Sequence, residues 1–448
     1  MTQITDIDLK DLIENQKITS YRISIIVWSC IVMAIEGYDM QLAAFAAPAI
    51  IKAWHINKSF FGPVFGFGLF GYMLGATLLG SMGDRFGRKK VIIGGTLWFG
   101  IYTLVATHAA SITGLLALRF VAGLGLGASV PTTLALAVEY APSRRRATTV
   151  GILFIGYNIG AAAAGFIAAR LIPVFGWPSV FYIGGIAPIL LSLILIFALP
   201  ESISFLALQR EGFADVSAIV ARLRPDLTFD KSARFVLREE KRSGVPASHL
   251  FTEGRARVTL LLWFAYIFSL TGQFFLTSWL PTVLVASGLS LGHAVVTGSA
   301  VQIGGAFGGL ILCWLIDKRG ILALAASFGI VAPLIALVPW ATSTDLMLMP
   351  LAFLIGFCLM GGLTGLNGIS GTFYPTYIRS TGVGWALGVG RVGSILGPVL
   401  GGILISFNPP NAVLFACAAL PVLCCAGALY LFAKLPTTAH ARQASALN

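Results

Sequence analysis

The sequence predicts an all-α membrane protein of twelve transmembrane helices, arranged as two six-helix halves. Three observations predict it: the composition, the recurrence of apolar runs, and an internal repeat. Of the 448 residues, 57% are hydrophobic and only 11% charged, with mean hydropathy +0.88. Soluble domains carry about 25% charged residues. Apolar runs long enough to cross a bilayer, about 20 residues each, recur from end to end. At a constant offset of 233 residues, Pro48 matches Pro281, Asp84 matches Asp317, Gly87 matches Gly320, Pro142 matches Pro375 and Arg146 matches Arg379. An even number of spans per half makes this a parallel repeat, the architecture of transporters that rock two halves about a midplane site.

In chain order, residues 1–22 read as a cytosolic tail, polar and mixed in charge, with no cleavable signal. The N-terminal half, 23–199, holds spans near 23–51, 60–82, 91–108, 112–138, 147–171 and 178–199. A polar segment, 200–257, rich in both signs of charge, separates the halves. The C-terminal half, 258–433, holds spans near 258–284, 291–316, 321–341, 346–373, 381–406 and 411–433, and 434–448 form a second tail.

The net charge of +12 does not point to nucleic acid, because Lys and Arg fall mostly in alternate loops. With the N-terminus inside, 25 of the 30 lie in inside segments, while Lys52, Lys58 and Arg170 lie outside and Arg119 and Arg391 lie within spans. The positive-inside rule then places both termini and the central segment in the cytoplasm. The six cysteines all lie in apolar spans without histidine at metal-ligand spacing, so small buried hydrophobes are expected, with no disulfide framework, metal or cofactor.

The first span carries Ile35-Glu36-Gly37-Tyr38-Asp39. An acid at that depth costs roughly 2.5 to 3.5 kcal/mol and marks function. Glu36 and Asp39 are three apart, so they share a helix face. They sit about 20 to 24 Å from the inner end of span one, Arg119 about 10 Å below the outer surface, and Arg391 about 15 Å into span eleven. A carboxylate solute needs a cation, and the arginine fork suits it, so Arg391 is expected to bind solute. Glu36 and Asp39 are expected to share the coupling proton, with Arg119 either coupled to them or only bracing span four. Neither acid has an acidic repeat partner: Glu36 maps to Ser269 and Asp39 to Gly272. Polar and aromatic residues expected near the solute are Asp39, Tyr38, Tyr157, Asn158, Tyr266, Gln273, Gln302, Asn367 and Trp385.

Gly83-Asp84-Arg85-Phe86-Gly87-Arg88-Lys89-Lys90 follows span two, and Asp317-Lys318-Arg319-Gly320 follows span eight. With Leu118-Arg119-Phe120 opening span four and Leu199-Pro200-Glu201-Ser202 closing span six, these resemble the signatures of the major facilitator superfamily, over the whole chain. Within it, the span-one motif, followed by Met40-Gln41 and Ala46-Ala47-Pro48, resembles that of the aromatic acid:proton symporters, where Asp usually stands in place of Glu36. Gly390-Arg391-Val392-Gly393 in span eleven fits the same family. The resemblance implies a major facilitator fold and proton-coupled import of an aromatic carboxylate of benzoate, hydroxybenzoate or phenylpropionate type across the bacterial inner membrane. The partners are then a small organic anion, protons and lipid, with no nucleic acid, and the chain is expected to be a monomer. It also implies a cytoplasmic latch from Asp84, Arg85, Gly87, Arg88, Glu139, Arg146, Asp317, Arg319 and Arg379.

Alternatives are a dicarboxylate, sugar or drug transporter of the same superfamily, or a membrane receptor or enzyme. Sugars would call for a paired glutamine in span seven, where only Gln273 stands. An enzyme would need a convergent catalytic set and a receptor a soluble output domain, and the sequence shows neither.

Overall fold

The computed structural model describes residues 6–8, 19–80, 82–142, 145–208, 213–223, 234–236, 247–252, 255–342, 345–374 and 378–434. The side chains of Asp317 and Arg379, two expected latch groups, lie outside what it describes. Among the described residues, twelve helices are long and apolar enough to cross a membrane. We number them α1 Ser20–Trp54, α2 Phe61–Leu74, α3 Arg88–Val105, α4 Ile112–Glu139, α5 Arg146–Phe175, α6 Pro178–Ala198, α7 Ala256–Ala286, α8 Leu291–Arg319, α9 Ile321–Ala341, α10 Asp345–Phe373, α11 Arg379–Ser406 and α12 Asn411–Ala433. The helix α2 runs on as one π-helical turn, Gly75–Leu79. Two three-residue strands, Asp6–Asp8 and Arg234–Val236, pair in parallel.

Local chemistry sets the helix ends. Ser111 caps α4 by accepting from the Gly114 N–H at 3.1 Å, and Ser290 caps α8 through the His293 N–H, each satisfying one donor that the first turn leaves open. Gly87 and Gly320, the duplicated glycines, both take positive φ, 98° and 69°. That conformation reverses the chain sharply between α2 and α3 and between α8 and α9, and costs a residue with a Cβ about 1–3 kcal/mol.

The chain divides into two compact units. The first comprises Met1–Leu42, Phe67–Ala164 and Val174–Lys241, and the second Ala43–Gly66, Gly165–Pro173 and Arg242–Asn448. These differ from the expected halves, because α1, α2 and α5 are each divided. In the first unit α3 packs on α4 and α6. In the second, α8 packs on α10, α7 on α11, and α9 on α10 and α12.

The repeat reappears as matched packing. In the first unit a Cβ on Gly71 would overlap the Phe120 carbonyl; in the second, one on Gly304 would overlap the Phe353 carbonyl. Gly160 meets the Ala34 carbonyl in the same way, and Gly393 meets that of Ile267. Glycine and carbonyl partner are both offset by 233 residues in each case. Between membrane helices, where water drives nothing together, such small residues permit the close backbone approach on which packing depends.

The second unit also gathers the ends of α1, α2 and α5 onto C-terminal helices. Gly62 faces Gly402 so closely that a Cβ on Gly62 would lie 3.1 Å from the Gly402 Cα. Phe65 packs edge-on against Trp279, ring centroids 5.4 Å apart, and the Trp279 indole donates to the Pro398 carbonyl at 2.9 Å. In the first unit the amphipathic helix Phe213–Leu223 buries Val216, Ile219, Val220 and Leu223 against Ile25, Leu199 and Ile203. The central segment therefore docks one helix on α1 and α6.

Candidate functional site

The acids of α1 are both fully buried, but their surroundings differ. Asp39 is held from two helices. Arg119 of α4 donates through Nη1 to Asp39 Oδ2 at 2.9 Å and through Nη2 to the Asp39 carbonyl at 3.1 Å. Thr103 of α3 donates to Asp39 Oδ1 at 2.6 Å. Arg119 is itself only 5% exposed. The pair is therefore a desolvated, charge-assisted contact; each ion offsets the cost of burying the other.

Glu36 lies one turn away with neither carboxyl oxygen hydrogen-bonded. The Ser129 hydroxyl of α4 is the polar group beside it, and Ser129 in turn stands 3.3 Å from the Thr96 hydroxyl of α3. A buried polar group without a partner is uncommon and calls for a functional reason. The two acids thus do not share one environment: Asp39 has a resident counter-ion, and Glu36 has none among the described residues.

The expected solute contacts separate by unit. In the first, the Tyr38 hydroxyl donates to the Val180 carbonyl of α6 at 3.0 Å. The ring is 7% exposed and packs against Gly184, so Tyr38 ties α1 to α6. Tyr157 backs the Gly37 position with its carbonyl, and Asn158 follows it on α5, half-buried. In the second, the Tyr266 hydroxyl donates to Asn367 Oδ1 at 2.8 Å and lies 3.2 Å from Ser370 Oγ. Gln302 is 3% exposed on α8. Ser269 Oγ, at the repeat position of Glu36, and Gln273 Oε1 are buried and unpartnered. Trp385 is 47% exposed and stacks on Trp263, centroids 5.9 Å apart at 18°. Arg391 is half-buried on α11.

Of the expected latch residues of the first unit, Asp84, Gly87, Arg88 and Glu139 come together around the carboxylates of Glu139 and Glu201. Arg88 bonds Glu139 directly and the Ala135 carbonyl at 3.2 Å, with Asp84 3.6 Å away on the exposed side. Glu139 accepts from Ser202 Oγ and from the Ser204 N–H. Sequence reasoning gave Glu201 no role, yet its carboxylate accepts from the Lys89 N–H at 3.0 Å and so caps α3, whose first residues lack a cap of their own. Tyr140 clamps the same residue, donating to the Glu201 carbonyl at 2.6 Å. Burial first, then the nearby acidic groups, holds the Tyr140 hydroxyl well above its usual range, so it stays a donor at neutral pH. Arg85 leans over the Phe86 ring, Arg146 reaches the Ala141 carbonyl at 3.4 Å, and Arg319 is exposed.

Thr103, too, was not legible as a site residue, since a threonine in an apolar run carries no signal without its partner. Among the described residues no group of His, Cys, Asp and Glu could hold a metal ion.

Comparison with known proteins agrees with this architecture. The family model described as Major Facilitator Superfamily matches residues 29–365. A gallate transporter from Pseudomonas putida is 35% identical over 427 residues, 94% of each chain. A 4-hydroxybenzoate transporter from Acinetobacter baylyi is 34% identical over 437 residues, 97% of this chain and 95% of that one. A 3-(3-hydroxy-phenyl)propionate transporter from Escherichia coli is 33% identical, covering 92% and 94%. Among solved structures, a bacterial homolog of the human lysosomal transporter Spinster, inward-facing and occupied, superposes with TM-score 0.72 at 17% identity, over 93% of this chain and 98% of that one. The fold, the paired loop signatures and these full-length matches agree: the chain is a transporter, not an enzyme, and belongs to the major facilitator superfamily, where its relatives are aromatic acid transporters.

Proposed function

We propose that the protein imports an aromatic carboxylate together with protons, with both termini in the cytoplasm. The observation that carries the reading is the unequal pair on α1. Asp39 is neutralised in place by Arg119 and hydrogen-bonded by Thr103. Glu36 is buried with no counter-charge, which suits a carboxyl that crosses as the neutral acid and releases its proton on the other side. The relatives named for gallate, 4-hydroxybenzoate and hydroxyphenylpropionate support the solute class. Arg391, within span eleven, is the cation assigned to the solute's carboxylate, because the planar fork of arginine suits a carboxylate.

The mechanism follows from charge. Solute anion on Arg391 and proton on Glu36 together leave no uncompensated charge on these groups, so the loaded carrier changes conformation without dragging a naked ion through hydrocarbon. The orientation rests on the 25 inside cations.

The test is pH-gradient-driven uptake in proteoliposomes, comparing 4-hydroxybenzoate, gallate, a dicarboxylate and a sugar. Saturable accumulation of the aromatic acids, lost in Arg391→Ala and Glu36→Gln proteins that still insert, is expected. Accumulation of the sugar alone would overturn the solute class. Labelling of a cysteine added at the C-terminus from the outside of intact cells would overturn the orientation.

A further inference from the structure

Two more hydroxyls of the first unit share the condition of Glu36. Ser29 Oγ and Thr133 Oγ1 are buried and without hydrogen-bond partners; Ser29 is 0% and Thr133 1% exposed. Serine and threonine in a helix usually satisfy themselves on a carbonyl of the preceding turn. Thr132, the neighbour of Thr133, does so on the Ala128 carbonyl at 2.7 Å. Ser29 and Thr133 do not, so their hydroxyls remain open to another partner.

Their placement lines them up with Glu36. Ser29 precedes Glu36 by seven residues, about 10 Å along α1 and on nearly the same azimuth. The ridge residues flanking it, Ile25 and Val32, lie in one buried cluster with Ile92 of α3, Leu136 of α4 and Tyr140 at the end of α4. On α4, Thr133 is one turn beyond Ser129, which stands beside Glu36. The two helices run antiparallel, since Asp39 meets Arg119 while Glu36, earlier on α1, stands beside Ser129, later on α4. Ser129, Thr133 and Ser29 therefore follow Glu36 in order, away from the Asp39–Arg119 pair and towards the end of α1 that carries the N-terminal segment. The charged and titratable groups along these faces are Asp39 and Arg119, paired with each other; at the far end Glu139 of α4, paired with Arg88, and Tyr140, which donates to the Glu201 carbonyl; and Arg22, 3% exposed on α1 seven residues before Ser29.

We propose that Ser129, Thr133 and Ser29, linked by water, relay the coupling proton between Glu36 and the solvent at that end of the unit. The O–H bond of the Glu36 carboxyl breaks as its proton passes to the first member. Each hydroxyl gives up its own proton as it accepts the next, and one proton emerges into bulk water, leaving Glu36 as carboxylate. Buried polar sites of this kind hold water readily, because each water finds partners there. The inference rests on Glu36 as the proton carrier.

The experiment separates the two ideas. Wild type, Thr133→Val, Ser29→Ala and the double variant are reconstituted with a pH-reporting dye inside. Two rates are measured: 4-hydroxybenzoate uptake with its accompanying proton flux, and 4-hydroxybenzoate exchange, which requires no net proton release. The double variant is expected to lose at least tenfold in coupled uptake and proton flux, keep exchange within about twofold, and recover when Thr133→Ser and Ser29→Thr restore the hydroxyls. Unchanged coupled uptake in the double variant overturns the relay, as does a parallel loss of exchange. Glu36→Gln is run alongside. Full coupled uptake in that protein overturns the carrier reading itself, whereas its loss beside an unaffected double variant overturns the relay alone.

Discussion

Arg119 spends two of its donors on one residue, the carboxylate and the carbonyl of Asp39. Removing one member of such a buried pair leaves the other charge unsolvated, at a cost of about 3–5 kcal/mol. Asp39→Asn and Arg119→Ala are each expected to lower the thermal midpoint of the detergent-solubilised protein. The double variant is expected to recover much of that stability while remaining inactive in coupled uptake, because stability needs only charge balance. A double variant no more stable than either single one would show that the pair does not carry this cost. Thr103→Val removes the remaining donor to Asp39. Its expected effect is a changed pH profile of uptake with protein abundance close to wild type, and Thr103→Ser should restore the profile.

At the scale of the element, the contacts that matter most are glycines against carbonyls. Gly160→Val and Gly393→Val intrude at equivalent places, α1 on α5 and α7 on α11. Each is expected to reduce the folded yield, measured by fluorescence size-exclusion chromatography, and to a similar degree. Gly151→Ala, where an added Cβ meets nothing within 4 Å, serves as the control and should leave the yield unchanged. Gly87→Ala combines the cost of positive φ, about 1–3 kcal/mol, with overlap on the Glu201 carboxylate that caps α3. It should destabilise more than Glu201→Ala, and thermal melts of the two variants compare them directly.

For the whole molecule, the second unit brings N-terminal helix ends against C-terminal helices, most closely at Gly62 and Gly402. A bulky residue there keeps those ends apart without touching the acids of α1. Gly402→Leu is expected to stop net 4-hydroxybenzoate uptake while the protein still inserts and runs as a single species. Uptake at the wild-type rate would mean that this approach is not needed in the transport cycle. The twelve spans and the 233-residue repeat were legible from one end of the sequence to the other, because a bilayer imposes a length and a hydropathy on every helix that crosses it. The division of α1, α2 and α5 between units was not, since hydropathy records that a segment crosses and not what it crosses beside.

The sequence alone determined the membrane architecture, the duplicated loop signatures, and the presence of two acids in α1 with no acidic counterparts in the second half. Those properties are one-dimensional: depth follows from position along a helix, about 1.5 Å per residue, and duplication follows from spacing. What each acid meets follows from how the helices pack. Glu36 and Asp39 differ by one turn, yet that turn brings Asp39 to Arg119 and Thr103 and leaves Glu36 beside Ser129 without a hydrogen bond. Their expected common proton became two environments, one neutralised and one open. Glu201 and Ser202 likewise acquired partners on α3 and α4 that lie more than sixty residues away in the chain. Such pairings depend on which helix faces which and at what rotation. Packing of backbones through glycine settles that, and no single stretch of sequence records it.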